Sequence, residues 1–223
     1  MTKGVGFRIY TNIKRPSQEL VERFRGLPSS NIADNMGRLY CIGHQIRPLN
    51  EAPLLGVAFT VKAPQGDNLM FHRALDLAKP GDIIVVDGEG DLEHSLAGEL
   101  MVRYAIKRGL GGFIVDGCMR DSDALAGLDF PIYARGITPQ GPYKNGPGEI
   151  NVPICCGGQV VMPGDILVGD RDGVVVIRPE DAEELAEVAR RKFEKEQEQI
   201  KENTFNKKWV ADLLIKQNVV VYE

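Results

Sequence analysis

The sequence predicts an α/β fold with a parallel core and a C-terminal helical extension, and three stretches carry that prediction. "DIIVVDG" (82–88) and "FIVDG" (113–117) are short, β-branched apolar runs bounded by turn residues, the pattern of strands buried on both faces. Between them, "SLAGELMVRYAIKRGLGG" (95–112) reads as a helix ended by glycines, so strand, helix and strand form a βαβ unit with a right-handed crossover. "RPEDAEELAEVARRKFEKEQEQIKEN" (178–203) is a long charged helix, with Pro179 at its start and acids in its first turns, where the helix dipole favours them.

The remaining elements follow in order. Residues 17–26, "SQELVERFRG", predict a helix with Ser17 as N-cap and Gly26 as its stop. A short helix starts near Ser29 or Ser30, and "LLGVAFTVK" (54–62) is a strand. "LMFHRALDLA" has apolar residues at helical spacing and ends at the turn signal "KPGD". "FPIYARGITP" (130–139) begins another strand, and residues 141–178 then turn rich in glycine and proline, as hairpins and short strands do. "PGDILVGDRDGVVVI" (163–177) reads as two strands around Asp172–Gly173. The long helix carries few apolar positions, so it is solvated or lies along another subunit; a small helix "KWVADLLIKQ" and a strand or tail "VVVYE" close the chain. The division is therefore a body over 1–178 and a helical extension over 179–223.

Bulk composition narrows the class. The 223 residues are 43% hydrophobic and 26% charged, which suits a soluble globular protein with a sizeable core. The net charge of −4 argues against a nucleic-acid partner. No apolar run long enough to span a membrane occurs, and the N-terminus lacks the apolar segment of a secretory signal, so a cytoplasmic protein is expected. Cys41, Cys118, Cys155 and Cys156 form no C-x-x-C pair and read as buried thiols; His44, His72 and His94 are scattered, without the spacing of a zinc site.

Loops at the carboxyl ends of parallel strands are where such sheets place their chemistry. Two qualify: "VVDGEGDLEHSLAGELM" after the first strand of the βαβ unit, and "VDGCMRDSD" after the second. Arg120 and Asp121 are adjacent in the latter. They read as a loop salt bridge, or as a guanidinium fork for a carboxylate beside a carboxylate for a hard divalent cation. Glu99 is a good first-turn residue or a functional acid; if the helix begins near Gly98, the amides of Leu100 and Met101 are unpaired donors suited to an anion. Asp116 reads as structural. No P-loop, dinucleotide fingerprint or nucleophile elbow supports a rival chemistry.

"GDIIVVDGEG", "AGELM", "GGFIVDGCMRD", "PIYARGITP" and "GGQVVMPGDILVGDRDGVVVI" together resemble the RraA-like family, over residues 30–180. That family contains class II pyruvate aldolases acting on 4-hydroxy-4-methyl-2-oxoglutarate and 4-carboxy-4-hydroxy-2-oxoadipate, and the regulator of ribonuclease activity A. The resemblance implies a swivelling β/β/α fold and a homotrimer or homohexamer with sites between subunits. The aldolases carry an acid, twenty intervening positions and Arg-Asp; Glu99, Arg120 and Asp121 keep that spacing, with Glu99 where Asp is typical. The polar C-terminal helix and its extension also resemble the aldolase branch, where such an extension reaches a neighbour's site.

The roles that follow are those the resemblance implies. Mg2+ or Mn2+ lies near Asp121, largely through waters, and chelates a 2-oxo acid. Arg120 holds the substrate and stabilises the pyruvate enolate. Gly98 and the amides of Leu100 and Met101 bind the carboxylate, with Asn68 on the substrate side. Glu99 polarises a water of the metal as general acid or base. Glu196 of a neighbour's C-terminal helix joins the metal's water shell. Decarboxylation of oxaloacetate is expected too, because it leaves the same enolate. The alternative within the resemblance is a non-enzymatic regulator of ribonuclease activity that acts by protein binding.

Overall fold

The structure is a computed structural model in which residues 4–220 and 222 are described. The chain runs through α1 (Gln18–Glu22), α2 (Ser29–Asp34), β1 (Arg47–Pro48), β2 (Leu54–Lys62), α3 (Leu69–Leu77), β3 (Asp82–Ala97), α4 (Glu99–Lys107) and β4 (Gly112–Met119). It continues through α5 (Ser122–Ala126), β5 (Ile132–Ile137), β6 (Glu149–Ile150), β7 (Ile154–Cys156), β8 (Gln159–Val161), β9 (Ile166–Asp170), β10 (Gly173–Ile177), α6 (Ala182–Glu202) and α7 (Lys208–Lys216). The main sheet has the order β1-β5-β4-β3-β2-β9-β10, with β6 added beside β2; β7 and β8 form a separate hairpin. Strands β2, β3, β4 and β5 are parallel, and β9 and β10 join antiparallel around Arg171 and Asp172, one residue ahead of the predicted Asp172–Gly173 turn, because Gly173 already pairs with Asp170.

Alternation along the central strands builds the layers. Ile84 and Val86 of β3, with Phe113 and Val115 of β4, face one side, under α3 and α4. Ile83, Val85 and Ile114 face the other side and pack against Ile154, Cys156 and Val161 of the β7–β8 hairpin. Helix, sheet and hairpin thus make the β/β/α stack. A third cluster joins α1, α2 and the first turns of α6 (Leu185, Ala186, Ala189) to β9 and β10. The long helix is therefore not wholly solvated: its first half completes the core, and its polar remainder leaves the body.

The predicted elements differ from the observed ones at instructive places. The helix predicted over 95–112 spans only Glu99–Lys107, and the loop predicted ahead of it is strand: β3 continues to Ala97. It follows β4 through register shifts between Asp87 and Asp91, Asp91 and Ser95, and Ser95 and Ala97. Glu89 and Gly90 take the positive φ values (57° and 71°) that absorb extra residues. The helix over 17–26 is shorter, although Ser17 caps it as expected, its Oγ accepting from the Leu20 amide at 3.2 Å. Cys118 and Cys156 are buried, but Cys41 and Cys155 are exposed, correcting the reading of four buried thiols. The closing segment has no strand at residues 219–220 or 222; residues 221 and 223 lie outside the described ones. Among the described residues, no helix is long and apolar enough to cross a membrane.

Phe113 is fully buried and makes edge contacts with Phe71 and Phe130, both at 5.0 Å between centroids. Phe113→Ala is expected to lower unfolding free energy by about 3–5 kcal/mol in a denaturant titration; a loss under about 1 kcal/mol would mean the cluster is not the core it looks to be.

Candidate active site

The parallel pair β3–β4 delivers the two predicted halves to one place. Ala97 is opposite Met119, the last residue of β4, and the Arg120 amide donates to the Ala97 carbonyl at 3.0 Å. Gly98 therefore lies directly against Arg120 and Asp121. A Cβ at Gly98 would overlap Asp121 Oδ2 and come within 2.9 Å of Arg120 Cγ, so the present placement of both side chains depends on glycine here. Asp121 adopts a left-handed backbone (φ 61°), a conformation aspartate tolerates better than most residues. Its Oδ2 accepts from the Glu99 amide at 2.9 Å, satisfying one of the free donors at the start of α4. Arg120 Nε is 3.8 Å from the same oxygen, and both side chains are more than two-fifths exposed. The pair is thus a loose ion contact open to solvent, with Asp121 doubling as an acceptor for α4.

A pocket of about 210 Å³ opens beside this pair. Asn68 and His72 of α3 and its lead-in line it, together with Gly98, Leu100 and Met101 at the start of α4 and Lys144 from the loop after β5. Asn68 is buried; its Nδ2 donates to the Leu96 carbonyl at 2.8 Å, while its Oδ1 has no partner. Of the two amides predicted as anion donors, only that of Leu100 is unpaired among the described residues. The Met101 amide donates to the Gly98 carbonyl at 3.1 Å, because the first turn of α4 closes tightly on itself.

Two predicted site residues point elsewhere. The Glu99 carboxylate accepts from Arg103 Nε at 2.7 Å, an i,i+4 pair along the lip of α4, so within this chain Glu99 serves the site through its backbone. Glu196 lies on α6, where Asn31 Nδ2 donates to it at 2.6 Å and Lys192 approaches at 3.9 Å; the fold does not bring it to Asp121 of its own chain. Asp116 is structural, as read: it is buried, pairs with Arg135 and accepts from the Gly157 amide at 2.6 Å, pinning the β7–β8 hairpin.

His72 and Lys144 are the residues the sequence did not single out. His72 follows Asn68 by four positions, one turn along the same face of α3, a spacing that could have flagged it once Asn68 was suspected. Lys144 is recruited from a loop 46 positions after Gly98, which no local pattern reveals. Burial holds the His72 pKa below its ordinary 6.5, and the Lys144 charge lowers it further. The pocket therefore brings together His72, Lys144, Arg120 and the free Leu100 amide, with one carboxylate, Asp121, among its lining.

The pocket lies at the carboxyl end of a parallel strand pair, which defines the class: an α/β protein with a pocket at its strand ends. The chain belongs to the RraA-like family, described as Aldolase/RraA, which it matches over residues 29–176. It is 42% identical over 175 residues to a relative from Halalkalibacterium halodurans named "Putative 4-hydroxy-4-methyl-2-oxoglutarate aldolase", covering 78% of this chain and 83% of that one. A relative of the same name from Ectopseudomonas mendocina is 36% identical over 121 residues, 54% of this chain and 74% of that one. Among solved structures, RraAS2 of Streptomyces coelicolor, described as an unusual member of the RNase ES inhibitor RraA protein family, superposes with a TM-score of 0.73 at 28% identity, covering 87% of this chain and 100% of that one. An uncharacterised protein from Pseudomonas syringae pv. tomato shares the fold, with a TM-score of 0.76 at 24% identity over 86% of this chain and 95% of that one.

Two measurements check this geometry. Gly98→Ala is expected to keep the fold yet displace the Asp121 carboxylate and the Arg120 side chain, as seen in a crystal structure of the variant; unchanged positions of both would show that the close approach does not shape the site. His72, followed by NMR, is expected to titrate with a midpoint below 6.5 in the free protein. Since the unfolded chain then takes up this proton first, stability is full above 6.5 and declines as pH falls from there toward the folded midpoint. A midpoint at or above 6.5 would contradict the buried, Lys144-facing environment.

Proposed function

We propose that this protein is a divalent-metal-dependent aldolase that cleaves a 4-hydroxy-2-oxo acid to pyruvate, with oxaloacetate decarboxylase activity from the same enolate. The observation that carries the reading is the junction of Gly98, Arg120 and Asp121 at the mouth of a pocket lined by Asn68, His72 and Lys144. The aldolase names of the relatives from Halalkalibacterium halodurans and Ectopseudomonas mendocina support it.

The donor set fits a hard cation. Among the described residues there is no cluster of three His, Cys, Asp or Glu side chains, which speaks against an all-protein cage. Magnesium suits this arrangement, because it keeps several waters and uses one or two carboxylates plus substrate oxygens. Asp121 is the residue that would hold it. When bound, Mg2+ or Mn2+ supplies Lewis-acid stabilisation of the charge that develops on the 2-oxo group.

The chain's own residues do the rest. Arg120 binds the 2-oxo acid end and stabilises the enolate as it forms. The free Leu100 amide, at the positive end of α4, receives the carboxylate. Lys144 and His72 meet the acidic group on the leaving half of a diacid. In the bond-breaking step the C4 hydroxyl loses its proton, the C3–C4 bond breaks, C4 becomes a carbonyl, and the electron pair becomes the pyruvate enolate, which is protonated at C3. Glu99 is the acid–base group of this reading, moving that proton once free of Arg103. The reading includes a cytoplasmic homotrimer or homohexamer in which Glu196 of one chain completes a neighbour's site. The exposed Trp209, Leu213 and Ile215 of α7 support contact with a second copy.

The test is pyruvate release from 4-hydroxy-2-oxo acids and from oxaloacetate, with magnesium or chelator. Chelation is expected to abolish release, and Arg120→Ala to lower kcat/KM on the order of a hundredfold or more. Equal rates in every condition would overturn the proposal. The second reading, a regulator acting by protein binding, is favoured by the description of RraAS2; its signature is ribonuclease binding unaffected by Arg120→Ala.

A further inference from the structure

One buried carboxylate ties the two walls of the pocket together. Asp67 is 4% exposed, and no ion pair involves it among the described residues. Its Oδ1 accepts from the Leu69 amide at 2.9 Å, at the start of α3. Its Oδ2 accepts from the amides of Asn145 and Gly146 at 2.6 and 2.9 Å. Beside it, the Asn68 amide donates to the Tyr143 carbonyl at 3.0 Å and the Tyr143 amide to the Gly66 carbonyl at 2.7 Å. Further back, the backbone amide and the Oγ of Ser95 each donate to the Gln140 carbonyl at 2.8 Å. The segment carrying Lys144 is thus fastened at its entry by Ser95 and at its exit by Asp67. The other end of the Asp67 link is the lead-in to α3, which carries Asn68 and His72.

We infer that Asp67 is a positioning residue: without lining the pocket, it fixes the spacing between Lys144 and the Asn68–His72 face, and so sets the preference for a substrate with a second carboxylate. The inference rests on the aldolase reading of the pocket. Its physical basis is that a carboxylate accepts from donors on both sides at once, whereas an amide in its place turns one acceptor into a donor facing an N–H. Asp67→Asn therefore loosens one wall from the other. Arg120 and Asp121 follow β4, the Leu100 amide lies on α4, and none of them is held by this link, so the pyruvyl end of the site keeps its geometry.

The experiment compares full-length wild type and Asp67→Asn on a 4-hydroxy-2-oxo diacid and a 4-hydroxy-2-oxo monoacid. KM for the diacid is expected to rise about tenfold with kcat within about threefold, while KM for the monoacid stays put. In a Lys144→Met background, Asp67→Asn is expected to add nothing to the diacid KM, because the effect runs through Lys144. Hydrogen exchange at the Asn145 and Gly146 amides is expected to quicken. Asp67→Ser, which keeps one acceptor, serves if Asp67→Asn does not fold. Equal rises for both substrates, a change in unfolding midpoint alone, or full additivity with Lys144→Met would overturn the inference. Calorimetric binding of 2-oxoglutarate against pyruvate makes the same comparison without turnover. A wild type that binds 2-oxoglutarate yet releases no pyruvate sinks the aldolase reading while the Asp67 comparison still stands; one that does not bind 2-oxoglutarate sinks both.

Discussion

The register between β3 and β4 is the constraint on which the rest of this molecule depends. Parallel pairing begins with Ile83 opposite Gly112 and closes with Ala97 opposite Met119, so the end of one strand lies against the end of the other. Everything at the site follows from that closure. Gly98 meets Arg120 and Asp121, and Asp121 accepts from the Glu99 amide at the start of α4. The three register shifts let a sixteen-residue strand stay paired with an eight-residue one. Without them, α4 would start several residues early, and its free amide would face away from Arg120.

A second constraint is electrostatic. Several carboxylates are buried in the body and matched by donors, some of them from a distant part of the chain. Asp82 accepts from Arg15 at 2.9 and 2.6 Å and from the Lys79 amide at 2.7 Å. Asp165 pairs with Arg178 and accepts from the Met162 amide, yet burial still pushes its pKa upward from its ordinary value. Removing one member of such a pair leaves an uncompensated buried charge, which costs far more than the pair contributes. These links fix loops that carry no apolar anchor of their own. Asp67 belongs to the same design, with backbone amides in place of a cation.

The candidate site was partly legible because its two halves follow strands of unmistakable composition. "IIVV" and "FIV" admit few alternatives to buried parallel strands, and the residues that follow such strands converge by topology. Where local pattern failed, tertiary pairing had overridden it. "EGDLEHSL" reads as a polar loop, but β4 supplies a partner for it, and its buried acid finds donors: Asp91 accepts from His94 Nδ1 at 2.9 Å and from the Glu93 amide at 2.8 Å. The start of α2 falls at Ser29, where the sequence placed it, but what holds it there is remote. Pro28 offers no side-chain cap, and the acceptor comes from Asp170, which takes the Ser29 amide at 2.8 Å and the Ser29 hydroxyl at 2.7 Å.

The sequence by itself determined the parallel core, the glycine-rich hairpins, the helical extension and the adjacency of Arg120 and Asp121, because each rests on periodicity or covalent neighbourhood. Only the tertiary structure decided what faces that pair. Lys144 reaches the pocket because Asp67 and Ser95 hold its loop there, and the Asp121 carboxylate meets the Glu99 amide because β3 and β4 end side by side. Such choices depend on hydrogen bonds between residues tens of positions apart, and a side chain's partner at that distance leaves no trace in the local pattern of the chain.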